Sequence, residues 1–317
     1  MESKNRVVAV IVTYNRLPML QKCIESVLAQ SAPCDILVVN NASTDGTCEW
    51  LDAEPKADRL TVYDTGANLG GAGGFNFGMR RAIESGYDFL WLMDDDCLPE
   101  PEALEKLLEA DSLLDGKYGW LSSVALWTDG GECRMNRQKL KKSFYDYSPL
   151  MKYGLVQAEQ ATFVSLFLRA DTVRRFGLPV KEFFIWGDDI EYTRRIAVRG
   201  NMPSFVAGQS RVIHAMNENS GSSIATDSAE RIDRYRYAFR NEAFTYRQEG
   251  VKGICYYLAK CGLNVCRVIG RAPDRRLKRI WVICGSMLKG LCFRPKIEQV
   301  KSGEQDQSDR EKEIFQA

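Results

Sequence analysis

The stretch that most constrains this chain is Phe89-Leu90-Trp91-Leu92-Met93-Asp94-Asp95-Asp96-Cys97-Leu98-Pro99. Large apolar residues run without a break into three acids, and Pro99 and Pro101 then end the strand and admit a helix. An unbroken apolar run of this length suits a strand buried on both faces, which puts the acids at its carboxyl end. In open α/β sheets that edge is where ligands bind. Adjacent carboxylates repel one another unless a cation holds them. Hard divalent ions such as Mg²⁺ or Mn²⁺ take such oxygens together with a substrate's phosphates. A solvated acidic turn is the alternative, and the buried strand in front of the acids weighs against it.

The chain before this point alternates in the same sense. Residues 7–14 are β-branched and read as another doubly buried strand, 17–29 have helical spacing, and 35–39 form a second strand. A loop of turn residues, 40–47, leads into a short helix at 47–52, and 60–63 give a third strand. Strand–helix alternation of this kind predicts an α/β fold, a mostly parallel, doubly wound Rossmann-like sheet with flanking helices and right-handed crossovers. Farther on, 102–114 read as an amphipathic helix, and 118–127, 161–169, 204–206 and 211–213 as strands.

Asn68-Leu69-Gly70-Gly71-Ala72-Gly73-Gly74-Phe75 opens a helix expected over about 76–85. Glycines at such a density let backbone approach a ligand and present N–H groups to an anion, or simply make a flexible turn. The segment is not a Walker loop, because no Gly-Lys-Ser/Thr ends it, and its spacing does not fit a dinucleotide fingerprint.

A second acidic stretch, Trp186-Gly187-Asp188-Asp189-Ile190-Glu191-Tyr192, begins a helix running to about Arg199. Capping explains one acid. The pair behind a Trp-Gly turn suggests a carboxylate held for proton transfer, with capping and salt bridges to Arg194 and Arg195 as the plainer reading. His214, the only histidine, stands at the end of a late strand, where a structural role and a metal-ligand role are equally open. Residues 128–153 lose periodicity and collect cations beside Tyr145 and Tyr147, as either a mobile or a merely exposed loop would.

The net charge of +1 excludes a global polyanion binder, so no nucleic-acid partner is expected. The ten cysteines are scattered with no CxxC pair, and 1–6 are polar and lead straight into a strand, so a reducing, cytoplasmic setting is expected. From 251 to 297 the character changes: Lys252, Lys260, Arg267, Arg271, Arg275, Arg276 and further cations are opposed by Asp274 alone, with apolar residues between them. No apolar run reaches the ~18–20 residues that spanning needs. Basic amphipathic helices lying on an anionic inner leaflet fit, as does a helical cap with a solvated basic face. The resulting division is a catalytic domain at 1–245, a membrane-associating helical region at 246–297, and a disordered tail at 298–317.

In order and spacing, Val12-Thr13-Tyr14-Asn15-Arg16, Asn41-Ala42-Ser43-Thr44-Asp45-Gly46-Thr47, the Asp94-Asp95-Asp96 triplet, and Trp186-Gly187-Asp188-Asp189 followed by His214 resemble the family-2 glycosyltransferases. These are inverting enzymes of the GT-A fold that use nucleotide-diphosphate sugars. The glycine-rich segment is similar to that of bacterial galactofuranosyltransferases, with rhamnosyltransferases as near relatives. The resemblance implies that Thr13, Tyr14, Arg16, Asn40 and Asp45 hold the base and ribose, and that Asn68, Gly73, Gly74, Asp95, Trp186 and Glu191 complete the substrate-binding set. It implies Asp94, Asp96 and His214 as ligands of Mn²⁺ or Mg²⁺, Asp189 as general base, and Asp188 as a catalytic neighbour contacting a sugar. Relatives keep an acid where Asn40-Asn41 stands, so uridine and thymidine donors both stay open.

The activity so implied is transfer of galactofuranose from UDP-galactofuranose, or of rhamnose from dTDP-rhamnose, to a lipid-linked glycan at the cytoplasmic face of the membrane. A homo-oligomer is left open. Two other classes compete. A nucleotidyltransferase would carry a glycine-rich Arg/Lys loop at the first strand, which Val12-Thr13-Tyr14-Asn15 is not. An inactive scaffold of the same fold would have lost one of Asp94, Asp96, Asp189 or His214, and all four are present.

Overall fold

The computed structural model of the chain describes residues 6–53, 58–219 and 221–300. Its first half alternates as β1 (Val7–Thr13), α1 (Leu17–Leu28), β2 (Asp35–Asn40), α2 (Thr47–Ala53), β3 (Leu60–Asp64), α3 (Gly70–Glu84) and β4 (Phe89–Asp94). These strands pair in parallel in the order β3-β2-β1-β4. There follow β5 (Cys97–Pro99), α4 (Ala103–Leu113), β6 (Leu121–Leu126), β7 (Lys139–Leu140), β8 (Leu155–Gln160), β9 (Leu166–Arg169), α5 (Ala170–Phe176), α6 (Asp188–Arg194) and β10 (Phe205–His214). Antiparallel β9 joins β4 to β6, β10 runs parallel to β6, and β8 and β5 pair antiparallel with β10.

Burial on both faces explains the unbroken apolar runs. Along β1, Val7, Ala9 and Ile11 enter one core, which α1 and α4 cover, while Val8, Val10 and Val12 enter the other, under α3. Along β4, Phe89, Trp91 and Met93 join the first and Leu90 and Leu92 the second. Both strands thus deliver their polar ends to the same carboxyl edge of the sheet.

The C-terminal helices α7 (Tyr235–Arg247), α8 (Gly250–Arg271) and α9 (Arg276–Cys292) form a core of their own around Tyr235, Phe239, Tyr246, Tyr257, Val268, Val282 and Ile283. That core takes in α7, so the division expected between 245 and 246 is not a packing boundary. Among the described residues no helix is long and apolar enough to cross a membrane.

Several expectations are corrected. The glycine-rich segment is not a loop ahead of a helix: Gly70–Glu84 is helical throughout. A Cβ on Gly74 would lie 2.5 Å from Val12 Cγ1, and one on Gly78 2.6 Å from Val10 Cγ1, so these glycines let α3 lie close against the sheet. The two late strands at 204–206 and 211–213 are one strand, β10, with a register shift between Ala207 and Arg211. The strand expected over 161–169 starts only at Leu166, after a turn in which Ser165 has φ 61°. Of the expected tail, 301–317 lie outside the described residues. Glu298 pairs with Arg80 and Lys181, and Val300 is buried, so 298–300 are packed rather than disordered.

Candidate active site

β4 ends on Asp94, and β5 begins two residues after Asp95. Because β5 pairs antiparallel with β10 with Cys97 opposite His214, the triplet is folded against the end of β10. The Ala215 N–H donates to the Asp96 carbonyl (2.9 Å), and His214 Nε2 lies 3.0 Å from Asp96 Oδ1. Asp94, Asp96 and His214 each offer an atom within 4.8 Å of the others. Two carboxylates and an imidazole suit Mn²⁺ or Mg²⁺ and leave room for phosphate oxygens. The second His214 nitrogen, Nδ1, meets Asn136 Oδ1 at 2.6 Å, the outer-shell contact that orients a ligating imidazole.

Asp95 turns inward. Its Oδ2 accepts from Thr13 Oγ1 at 2.7 Å, and Arg16 bridges Asp95 (3.2 Å) and Asp96 (2.7 Å). Burial pushes the Asp94 carboxyl up to about 7, helped by the charge on Asp96, and pushes Asp95 up to about 6 despite Arg16 and Thr13. Burial acts upward on Asp96 too, but the hydrogen bond and charge of His214 outweigh it and hold that carboxyl below its usual range. For His214 burial acts downward, yet hydrogen bonds to Asp96 and Cys133 and the charges of Asp96 and Asp94 hold it up at about 10.

The other acids arrive on a strained loop. Phe184 (φ 64°) and Trp186 (φ 66°) both sit in the left-handed region just before Gly187 (φ 86°). Such non-glycine conformations cost roughly 1–3 kcal/mol each and persist where surroundings over-determine them. Here they are held from two sides. On one, the fully buried Asn241 of α7 donates to the carbonyls of Phe183 (3.1 Å), Ile185 (3.2 Å) and Trp186 (2.8 Å), and Arg240 donates to the Glu182 carbonyl (2.6 Å). On the other, the Phe184 carbonyl accepts from the Ala72 N–H (3.2 Å) and lies where a Gly70 Cβ would be, 2.0 Å away.

Asp188 and Asp189 then open α6, with the Ile190 N–H on Asp189 Oδ1 at 2.7 Å. Burial raises both carboxyls, Asp189 to about 6 against the pull of the Ile190 N–H. The charge of Asp189 also raises Asp188, and across the two stretches Asp189 raises Asp94 and Asp94 raises Asp188.

A profile of the family described as "Glycosyl transferase family 2" matches residues 8–112. Galactofuranosyltransferase GlfT1 of Mycobacterium tuberculosis is 30% identical over 279 residues, 81% of this chain and 84% of that protein. The chain belongs to glycosyltransferase family 2. GlfT1 of Mycolicibacterium smegmatis is 27% identical over 263 residues, covering 78% of this chain and 84% of the relative. Among solved structures, GalNAc-T7 with UDP, GalNAc and Mn²⁺ superposes with TM-score 0.58 at 16% identity, over 80% of this chain and 52% of that longer one. The mannosyltransferase PcManGT of Pyrobaculum calidifontis, with GDP-Man and Mn²⁺, gives 0.53 at 16% identity over 92% and 77%. The fold is thus GT-A, and the chain is a nucleotide-sugar glycosyltransferase.

For a family-2 glycosyltransferase the expected site set assembles unevenly. Asp94, Asp95, Asp96, His214 and Arg16 come together, and Asp188 and Asp189 are linked to them through charge effects with Asp94. Trp186 is half-buried against Tyr235 (5.0 Å between rings) on the loop beside them. Thr13 is buried and spends its hydroxyl on Asp95, so it positions that acid. Tyr14 is 42% exposed at the mouth. Asn40 bonds internally to Asp64, Cys48 and the Ser43 N–H, and Asp45 to Leu17 N and Thr47 Oγ1, so both build the loop itself. Asn68 accepts from the Gly70 N–H (2.8 Å) in a local turn. Gly73 and Gly74 are buried inside α3. Glu191 is 1% exposed and paired with Arg195 and Arg199, away from the site's surface.

Sequence reasoning missed Asn136, Asn241 and Asp64. Asn136 carried no signal in its aperiodic stretch. Asn241 was discoverable as an amide on the helix face shared by Tyr237, Ala238 and Phe244. Asp64 ends β3 and accepts a hydrogen bond from Asn40 Nδ2 at 2.7 Å.

Proposed function

We propose that this chain transfers galactofuranose from UDP-galactofuranose to a hydroxyl of a lipid-linked glycan in surface-polysaccharide synthesis, by single displacement with inversion. The observation that carries the reading is the Asp94–Asp96–His214 donor set, whose Asp94 feels the charge of Asp189, itself a buried carboxyl raised to about 6. The likeness to GlfT1 over about four fifths of the chain supports the donor.

Asp94, Asp96 and His214 would hold Mn²⁺ or Mg²⁺, which when bound supplies positive charge against the donor's diphosphate. Arg16 adds a fixed cation at the same place. Asp189 takes the proton from the acceptor hydroxyl as its oxygen bonds to the anomeric carbon, while the bond from that carbon to the diphosphate oxygen breaks and UDP leaves. Asp188, its carboxyl pushed well up by burial and the charge of Asp189, contacts a sugar hydroxyl.

The exposed apolar residues Val251, Ile269, Leu277, Trp281 and Leu288 on α8 and α9, set among Lys and Arg, support a seat on the anionic cytoplasmic face of the membrane.

The test is nucleoside diphosphate release by purified protein with Mn²⁺ or Mg²⁺, a lipid-linked acceptor preparation, and a panel of UDP-galactofuranose, UDP-galactopyranose, UDP-glucose and dTDP-rhamnose. Release with UDP-galactofuranose alone, lost in Asp189→Asn, is the expected result. Release with dTDP-rhamnose alone overturns the donor, and release that survives Asp189→Asn overturns the base.

A further inference from the structure

Between α7 and α9, beside the strained loop, lies a cavity of about 160 Å³ lined by Arg236, Tyr237, Arg240, Trp281, Ser286 and Lys289, with Gly285 at its wall. Arg236 and Arg240 are one turn apart on α7, and Trp281, Gly285 and Lys289 recur at four-residue steps on α9, so each helix presents one face to the gap. Three cations and two aromatic rings line it, and no acid does. Asp233, outside the lining, pairs with Arg236 at 3.0 Å and with Lys278 at 2.8 Å. Arg236 lies over the Trp281 ring (5.5 Å), and Arg240 over Tyr237 (5.2 Å) while gripping the Glu182 carbonyl. Lys289 has no acidic partner, and the Ser286 hydroxyl no hydrogen bond, among the described residues. A Cβ on Gly285 would meet nothing within 4 Å, so the cavity is open at its centre.

We infer that this cavity binds a phosphate or diphosphate group, the one through which a lipid-linked acceptor joins its glycan to its lipid. The inference rests on the lipid-linked acceptor proposed above. Arginine forks and a lysine point charge are the side chains that recognise phosphate oxygens, and a liquid water occupies about 30 Å³, so the space takes one phosphate of about five heavy atoms, with the second phosphate of a diphosphate left at the opening. The location suits the role on both sides. Tyr237 packs on Phe184 (5.2 Å) at the head of the loop that carries Asp188 and Asp189. Trp281 and Leu288 are 60% and 61% exposed on the outer side, where a lipid chain would continue into the bilayer. A phosphate held here tethers the acceptor so that its sugar end reaches the carboxylates.

The experiment uses the full chain and two kinds of phosphatidylcholine vesicle, one containing a polyprenyl diphosphate and the other phosphatidylglycerol at equal charge. Wild type is compared with Arg236→Ala/Lys289→Ala, with Gly285→Leu, which fills the cavity, and with Lys252→Ala/Arg267→Ala on the exposed part of α8. The two cavity variants should bind polyprenyl diphosphate vesicles about tenfold more weakly, as loss of charge-assisted bonds predicts, and inorganic pyrophosphate should compete with wild type. The α8 variant should instead lose phosphatidylglycerol binding while keeping pyrophosphate competition. Equal weakening of the cavity variants on both vesicle types, no weakening, or no competition by pyrophosphate overturns the inference. Wild-type turnover of UDP-galactofuranose is followed on the same vesicles. Turnover with cavity-independent binding removes the cavity alone, whereas cavity-dependent binding without turnover removes the transferase reading and leaves the phosphate site standing.

Discussion

His214 touches Asp96 through Nε2 at 3.0 Å and Asn136 through Nδ1 at 2.6 Å, so the chain's lone imidazole is clamped between an acid of the sheet edge and an amide of an otherwise irregular segment. Asn136 has a second contact, from its own Nδ2 to Thr162 Oγ1 (2.9 Å), which fixes it in turn. Replacing Asn136 by Ala frees the ring to rotate. Loss of a side chain that orients a ligating imidazole weakens metal binding by roughly 10–100-fold. Mn²⁺ titration followed by electron paramagnetic resonance should show that drop, and an unchanged affinity would dismiss Asn136 as an orienting group.

Asp189→Asn should lower kcat by about 10²–10⁴-fold, the range for a lost general base, with the affinity for Mn²⁺ retained. The wild-type rate should rise with pH through about 6, because the base works only once deprotonated and its carboxyl is held up by burial. A flat profile between pH 5 and 7 at saturating metal would contradict the assignment.

Metal-free protein should lose stability as pH rises from about 4 to 7. Asp94, Asp95 and Asp189 titrate at about 7, 6 and 6 in the folded chain, against about 3.9 unfolded, so the folded state binds more protons across that window. His214, held up at about 10, adds stability below about 6.5 that fades above it, in the same direction. Scanning calorimetry without metal should show Tm falling on the order of 5 °C between pH 5 and 7.5, and Mn²⁺ should restore more at the higher pH. A metal-free Tm that climbs over this range would refute the sign.

Asn241→Ala removes the donor for three loop carbonyls. The fold should lose about 1–3 kcal/mol by denaturant unfolding, as expected for buried acceptors left without a partner. Because the loop carries Asp188 and Asp189, kcat should fall with it while Mn²⁺ affinity holds. Equal loss of both would mean that the loop and the metal site are not separable.

Gly70→Ala sets a methyl 2.0 Å from the Phe184 carbonyl oxygen at a backbone φ of +69°. The loop must shift, and kcat should drop at least tenfold, whereas Gly71→Ala, whose Cβ meets nothing within 4 Å, should be near neutral. Steady-state kinetics on the two variants compares them directly.

The parallel half of the sheet was legible because doubly buried strands must be continuously apolar, and the acids that follow β4 had to emerge at its edge. The grouping of the acidic triplet, His214 and the Asp188-Asp189 pair into one expected site comes from the resemblance to the family-2 glycosyltransferases, not from strand patterning. The glycine-rich segment misled, since close helix–sheet packing and close ligand approach ask for the same residue. What Gly74 avoids is Val12, a partner far away in sequence. Asn40, Asp45 and Glu191 have partners within the fold that local patterns do not encode. A polar side chain at a site's margin can serve the loop or the ligand, and only the fold shows that Arg195 has claimed Glu191. The antiparallel insertion of β9 and the unity of β10 depend on long-range pairing that local patterns do not encode.

Helix α7 has two allegiances: Asn241 and Arg240 grip the loop in front of α6, while Phe239, Ala243 and Tyr246 share a core with α8 and α9. Gly290 of α9 is pressed so close to α7 that an added Cβ would lie 2.4 Å from that of Ala243. The C-terminal pair therefore backs the helix that holds the loop in front of α6. A chain cut after α7 would keep every carboxylate of the site and lose the backing that keeps Asp188 and Asp189 aimed at it.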